Sequence, residues 1–204
     1  MNAKAIGLSL LFWVVMTVLV GFVYPFAMTG VAQLAFPWRA NGSLLAVNGK
    51  LAGSELFGQY FDDPRYFWSR PSATSPVPYA GQLSAASNKT PAGDELQKAI
   101  EDRVKALADS AAAVGADVPA GPVPSDLVTA SGSGLDPDIS PAAAYYQVDR
   151  IAKARGLDPA VLRGLIASRM KGRSLGLLGE PRVNVLELNL ALDGQTVTRV
   201  ASAR

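Results

Sequence analysis

Ser131 and Ser133 precede Asp136 in the run SGSGLD. A serine hydroxyl becomes a nucleophile only when a base takes its proton. The chain has no histidine and no cysteine. That removes Ser-His-Asp triads, imidazole shuttles, thiolate nucleophiles and Cys- or His-ligated metals together. A hydrolase built here would need a lysine base, and Lys153 is the nearest in sequence. The same Ser131-Gly132-Ser133-Gly134 run also reads as a small flexible turn whose backbone N–H groups can approach an anion.

Other chemistry-bearing residues weigh in less. Asp62-Asp63 are adjacent in a loop and read as solvated charge. Asp136-Pro137-Asp138 with Ser140 opens like a calcium loop, but its sixth position is Pro141 and its twelfth is Gln147, so the glycine and the bidentate glutamate are missing. The better reading is a turn that caps the next helix. Arg65, Arg70 and Arg182 lie beside prolines and suit stacking or capping, with carboxylate or phosphate binding as the sharper alternative. There is no G-x-x-x-x-G-K-[ST] phosphate loop and no Asp-Lys-Thr-Gly-Thr signature of an ion-pumping ATPase. The residues nominate no catalytic group and no metal ligand set.

The elements that must position these residues begin with an apolar segment. Ala5 to Trp38 contains no charged side chain. A bilayer core of about 30 Å needs about 20 apolar helical residues, and Ile6 to Tyr24 supplies them. Ser9 and Thr17 bond back to the preceding turn. Tyr24 sits where an interfacial aromatic belongs, and Pro25 is expected to break or kink the helix. Phe26 to Trp38 extends it as a tilted or interfacial segment. A cleaved signal peptide is the competing reading, but signal h-regions run to roughly 7–15 residues and this segment is longer. Lys4 and the α-amino group favour a cytoplasmic N-terminus and an exported domain.

Net charge is +2 from 19 basic and 17 acidic residues. Lys4 is the only charged residue before Arg39, so the remainder is nearly neutral, unlike a nucleic-acid binder. Leu44–Val47, Asn48-Gly49 and Lys50–Ala52 read as a β-hairpin. Tyr60–Tyr79 holds no period and reads as ordered loop, followed by loop over Ala80–Lys89. Thr90-Pro91 opens a helix whose face is Leu96, Ile100, Val104 and Leu107, flanked by a Glu101–Lys105 pair. Ala113–Pro124 is linker. Ser140-Pro141 starts a second helix ended by Gly156, and Asp158-Pro159 a third through Leu162, Leu165 and Ile166. Val183–Leu192 reads as a short strand running into a helix capped by Asn184 with Glu187. The fold class expected is α+β: one N-terminal transmembrane helix followed by a single mixed α/β soluble domain. The expected divisions are an anchor over 1–38, a soluble domain over 39–193 and a tail over 194–204.

Gln147 to Ile166 gives helix, Gly turn and helix, the pattern of a DNA-binding helix-turn-helix. A membrane-anchored transcription regulator is the alternative this supports. The neutral charge and the expected export oppose it, and tight helix pairs are common in any core.

Four ordered blocks carry a family resemblance. They are YFWSRPSA (Tyr66–Ala73), DLVTASGSGLDPDISPAAA (Asp126–Ala144), QVDRIAKARGL (Gln147–Leu157) and LGEPRVNVLELNLALD (Leu178–Asp193). Together with the single anchor, the chain resembles the KdpC subunits of the Kdp potassium-transporting P-type ATPase over almost its whole length to Asp193. It departs at Asp138, at Leu83–Gly93 and at Ser168–Lys171, where members commonly carry a histidine, a Gly-rich segment and often a histidine again. The resemblance implies a non-catalytic subunit of an ATP-driven potassium uptake pump in the bacterial inner membrane. It implies as partners a channel-like potassium-binding subunit, a P-type ATPase subunit and a small membrane subunit. It further implies a catalytic-chaperone role that raises ATP affinity, with ATP at Ser131, Gly132, Ser133 and Gly134 together with Gln147. An exported domain conflicts with that last point, because ATP is cytoplasmic. The physical reading favours assembly and capping of the potassium entrance.

Overall fold

The computed structural model describes residues 3–200, which divide into two compact units, 3–44 with 199–200, and 45–198.

In the first unit, α1 (Ala3–Ala35) is 33 residues of helix, long and apolar enough to cross a membrane. At 1.5 Å per residue it is about 50 Å long. Of the two outcomes expected at Pro25, a break does not occur, and the helix continues through a local distortion. The turn ahead of the proline, Leu19–Val23, widens to π geometry, and the Tyr24 N–H donates to Leu19 O five residues back. Pro25 has no N–H, and its ring would strike the carbonyl four residues earlier in a regular helix. A π turn moves that carbonyl aside. Beyond α1, the short α2 (Pro37–Ala40) is braced locally. Trp38 Nε1 donates to Leu44 O at 2.9 Å, and the Arg199 guanidinium lies 4.3 Å from the Trp38 ring centroid.

The second unit contains six helices among the described residues, and the strands form two small three-stranded sheets. β1 (Leu44–Val47) and β2 (Lys50–Ser54) form the expected hairpin. Asn48 and Gly49 take φ of 51° and 77°, the positive pair that a tight hairpin turn needs. β6 (Val197–Val200), inside the segment read as a tail, lies on the other side of β1. The second sheet runs β3 (Asp138–Ile139), β5 (Arg182–Asn184), β4 (Met170–Lys171). Its register pairs Ile139 and Met170 with Val183.

The first soluble helix, α3, spans Asp94–Ala113 and not from Thr90-Pro91. Thr90 makes a turn instead, its carbonyl accepting from Gly93 N, and Gly93 is the N-cap. Leu107 and Ala111 are buried along α3, whereas Val104 is 37% exposed at the edge of the expected face. Lys105 pairs with Asp109, not with Glu101, which accepts from Gln97. The short α4 is Ser125–Val128. The helix after Ser140-Pro141 is two pieces, α5 (Pro141–Tyr146) and α6 (Val148–Arg155), divided at Gln147. Gly156 ends α6 at φ 65°. α7 (Pro159–Arg169) is capped by Asp158, and α8 (Val185–Leu192) by Asn184, whose Oδ1 accepts from Glu187 N. The core gathers Phe67, Leu127, Ile151, Leu162, Ile166, Val183 and Leu188 between these helices and the second sheet.

Candidate functional site

The centre of the soluble unit is a loop, 60–79, threaded through the core. Phe67 and Trp68 are buried although no strand pairs with them. A buried peptide group without a partner is costly, so their backbone bonds must go elsewhere. Two side-chain amides take them. Asn189 Oδ1 accepts from Phe67 N at 2.9 Å and its Nδ2 donates to Phe67 O at 3.0 Å. Gln147 Oε1 accepts from Trp68 N at 2.7 Å and its Nε2 donates to Trp68 O at 3.2 Å. Each carboxamide offers one donor and one acceptor side by side, as a neighbouring peptide would. The pair therefore replaces a β-ladder across sequence separations of 122 and 79 residues. Gln147 occupies the break between α5 and α6, where its Nε2 also reaches Ala143 O.

Two arginines cover the Trp68 ring, at 5.0 Å for Arg103 and 4.8 Å for Arg150. Arg103 donates to Leu127 O and Ser69 O, both at 3.1 Å. Arg150 is 4% exposed and donates to Pro64 O, Tyr66 O and Gln147 Oε1. No carboxylate is among these acceptors. Burial, reinforced by the charge of Arg103, holds the Arg150 guanidinium down to about 10. Carbonyl oxygens and a ring face substitute for a counter-ion. Alongside, Arg155 lies 4.7 Å from the Tyr66 ring and pairs with Asp193 at 2.7 Å, while Tyr66 OH bonds the other Asp193 oxygen at 2.9 Å.

The Ser131–Gly134 turn is a separate feature. Ser131 is buried, and its hydroxyl accepts from Gly134 N at 2.8 Å. Ser133 Oγ accepts from Leu135 N, and its carbonyl accepts from Ala85 N and Ser84 Oγ. Gly134 takes φ 69°, and a Cβ there would stand 2.6 Å from Ala85 O, so only glycine fits. Gly132 is exposed. The hydrogen-bond partners of this turn share no residue with those of Gln147. Both serine hydroxyls serve the turn, and Asp136 pairs with Arg70 at 3.0 Å. Lys153 extends toward Gly115, where a built Cβ would be 3.9 Å from its Cε.

A cleft of about 580 Å³ lies beside the second sheet, lined by Arg70, Asp126, Asp136, Asp138, Glu180 and Arg182. Arg182 pairs with Asp138 at 2.9 Å, and Asp126 accepts from Ser140 N at 2.6 Å. Burial raises the Asp138 carboxyl above its usual range. Asp126 and Asp136–Ser140 thus frame the start of α5, and among the described residues no group of three or more ligating side chains is set to hold a metal. Arg65 closes on Asp63 at 2.7 Å, and hydrogen bonding from Arg65 pulls that carboxyl down to about 2.

The α6–α7 pair packs into the core through Ile151, Ala152, Leu162 and Ile166. Its second helix carries Arg163 and Arg169, and Arg163 lies 3.6 Å from Asp149.

Residues 6–194 match the family described as KdpC: K+-transporting ATPase, c chain. The chain is 59% identical over 188 residues to the potassium-transporting ATPase KdpC subunit of Sorangium cellulosum, covering 91% of this chain and 95% of that one. It is 54% identical over 181 residues to the KdpC subunits of Burkholderia orbicola and Burkholderia mallei, covering 89% of this chain and 91% of each of those. With the match running through both the apolar helix and the soluble fold, this chain belongs to the KdpC family, the c chain of the K+-transporting ATPase.

Proposed function

We propose that this chain is the accessory subunit of an ATP-driven potassium uptake pump, supporting assembly of the complex and taking no catalytic step itself. The observation that carries the proposal is the family match over 6–194, which includes anchor and domain together. In this reading α1 crosses the bacterial inner membrane once. Lys4 keeps the N-terminus in the cytoplasm and the domain lies outside. The partners are a channel-like potassium-binding subunit, a P-type ATPase subunit and a small membrane subunit. The domain caps the potassium entrance.

The internal bonding of Gln147 supports a framework role. Its oxygen accepts twice and its nitrogen donates twice, so ATP would have to displace protein partners to reach it. The catalytic-chaperone reading, with ATP at Ser131–Gly134 and Gln147, requires a cytoplasmic domain. A C-terminal alkaline phosphatase fusion separates the two. An active fusion places the domain outside and supports capping, whereas an inactive, stably produced fusion supports the nucleotide reading.

A further inference from the structure

Between β4 and β5 the chain leaves the sheet as a closed loop. Ser174 and Leu178 form an antiparallel bridge, with Ser174 N donating to Leu178 O at 2.8 Å and Leu178 N to Ser174 O at 2.9 Å. Gly176 N bonds Arg173 O at 3.2 Å. At the base, Arg173 Nη2 donates to both Glu180 oxygens at 2.8 Å. A Cβ added at Gly172, Gly176 or Gly179 would meet nothing within 4 Å, so the loop stands clear of its surroundings.

On this closed support Leu175, Leu177 and Leu178 are 92%, 79% and 65% exposed. The backbone does not ask for leucine at 175. Its φ is 55°, in the left-handed region that favours glycine and penalises a bulky residue. The core does not ask for it either. Three large apolar side chains held together in water mark an interaction surface.

We propose that Leu175, Leu177 and Leu178 form a docking knob that enters an apolar, uncharged groove on a different subunit of the potassium-transporting ATPase. The proposal rests on the accessory-subunit reading above. Charge selects the occupant. Residues 174–179 carry no charge, and Arg173 at the base is neutralised by Glu180. A loop that enters a membrane surface relies on Trp or Tyr and on free Lys or Arg, and this tip offers none. A second copy is disfavoured because a knob fitting a groove elsewhere on the same chain makes a head-to-tail contact, which closes into a ring only at particular rotations and otherwise runs on as an open filament. A neutral groove on another protein matches both the chemistry and the fixed shape.

The absence of cysteine gives a clean probe. Leu177→Cys, carrying a benzophenone on the thiol, is expected to crosslink to another pump subunit when the complex is illuminated in detergent. Leu175→Ser with Leu178→Ser is expected to lower complex yield at least about tenfold, since burying one leucine is worth a factor of roughly ten or more. The melting temperature of that purified variant should be unchanged, because the removed side chains are in solvent. Crosslinking only to lipid or to a second copy overturns the proposal, and so does full complex yield from the double variant. If the wild-type chain captures no ATPase subunit, the accessory-subunit reading fails. If wild type and variants capture it equally, the knob alone fails.

Discussion

Replacing Gln147 by leucine keeps the volume of the side chain and removes its four hydrogen bonds. Trp68 N and Trp68 O lose their partners in a region where Trp68 is 4% exposed and Gln147 1% exposed. A buried donor or acceptor left unsatisfied costs about 1–3 kcal/mol. Two such groups give about 2–6 kcal/mol, and Arg150 loses one of its acceptors besides. For a chain of this size each kcal/mol moves the melting temperature by about 2–4 °C. Gln147→Leu is therefore expected to lower it by about 10 °C, read by circular dichroism on the full chain in detergent with no nucleotide present. Gln97→Leu, on the exposed side of α3, serves as the control and should shift it by less than about 2 °C. A Gln147→Leu protein that melts with wild type would refute the clamp reasoning. If that same variant then lost a nucleotide-dependent property of the pump, the nucleotide reading would take its place.

Other outcomes follow from the same geometry. Asn189→Leu unpairs Phe67 in the same way and should cost a similar amount, and the double variant with Gln147→Leu should be non-additive because the two clamps hold adjacent residues; additive melting shifts would separate them. Gly58→Ala places a Cβ 2.3 Å from Tyr79 Cε1 and 2.6 Å from Asp136 O, so it should destabilise by about 1–3 kcal/mol or more in denaturant unfolding. Asp63 has its carboxyl lowered from 3.8 to about 2, so its contribution is full above about pH 4 and is lost as pH falls through about 2; Asp63→Asn should be less stable than wild type at pH 6 and equal to it at the acid end of that window. Gly21→Leu, in the π turn of α1, should preserve membrane insertion and weaken complex assembly, because association in lipid depends on close packing; a poly-Leu anchor giving full complex yield would show a simple tether.

Local signals in the sequence predicted local structure well. Asn48-Gly49, Ser140-Pro141, Asp158-Pro159, Gly156 and the Asn184–Glu187 cap each act within a few residues, and each stands where expected. Thr90-Pro91 misled because Gly93 offers a competing cap and Thr90 is used in a turn. Pro25 left open a break or a kink, and the helix continues because a π turn absorbs the proline. The clamps of Gln147 and Asn189 could not be read at all. They join residues 79 and 122 positions apart, and an amide carries no mark of the distant peptide it will meet. The Arg103–Trp68–Arg150 stack is hidden for the same reason. Gln147 entered the sequence reading as a binding residue only through family resemblance. Of the exposed leucines at 175, 177 and 178, only Leu178 falls in a block that carries the resemblance, since nothing local distinguishes an apolar side chain in water from one in a core.

The most direct test of the central claim is affinity capture of the full chain from potassium-limited cells, with subunits identified by mass spectrometry and ATPase activity measured in the eluate. The account predicts a P-type ATPase subunit and a channel-like subunit in fixed ratio with this chain, together with potassium-stimulated ATP hydrolysis. Recovery of this chain alone, with no ATPase subunit and no such hydrolysis, would contradict it.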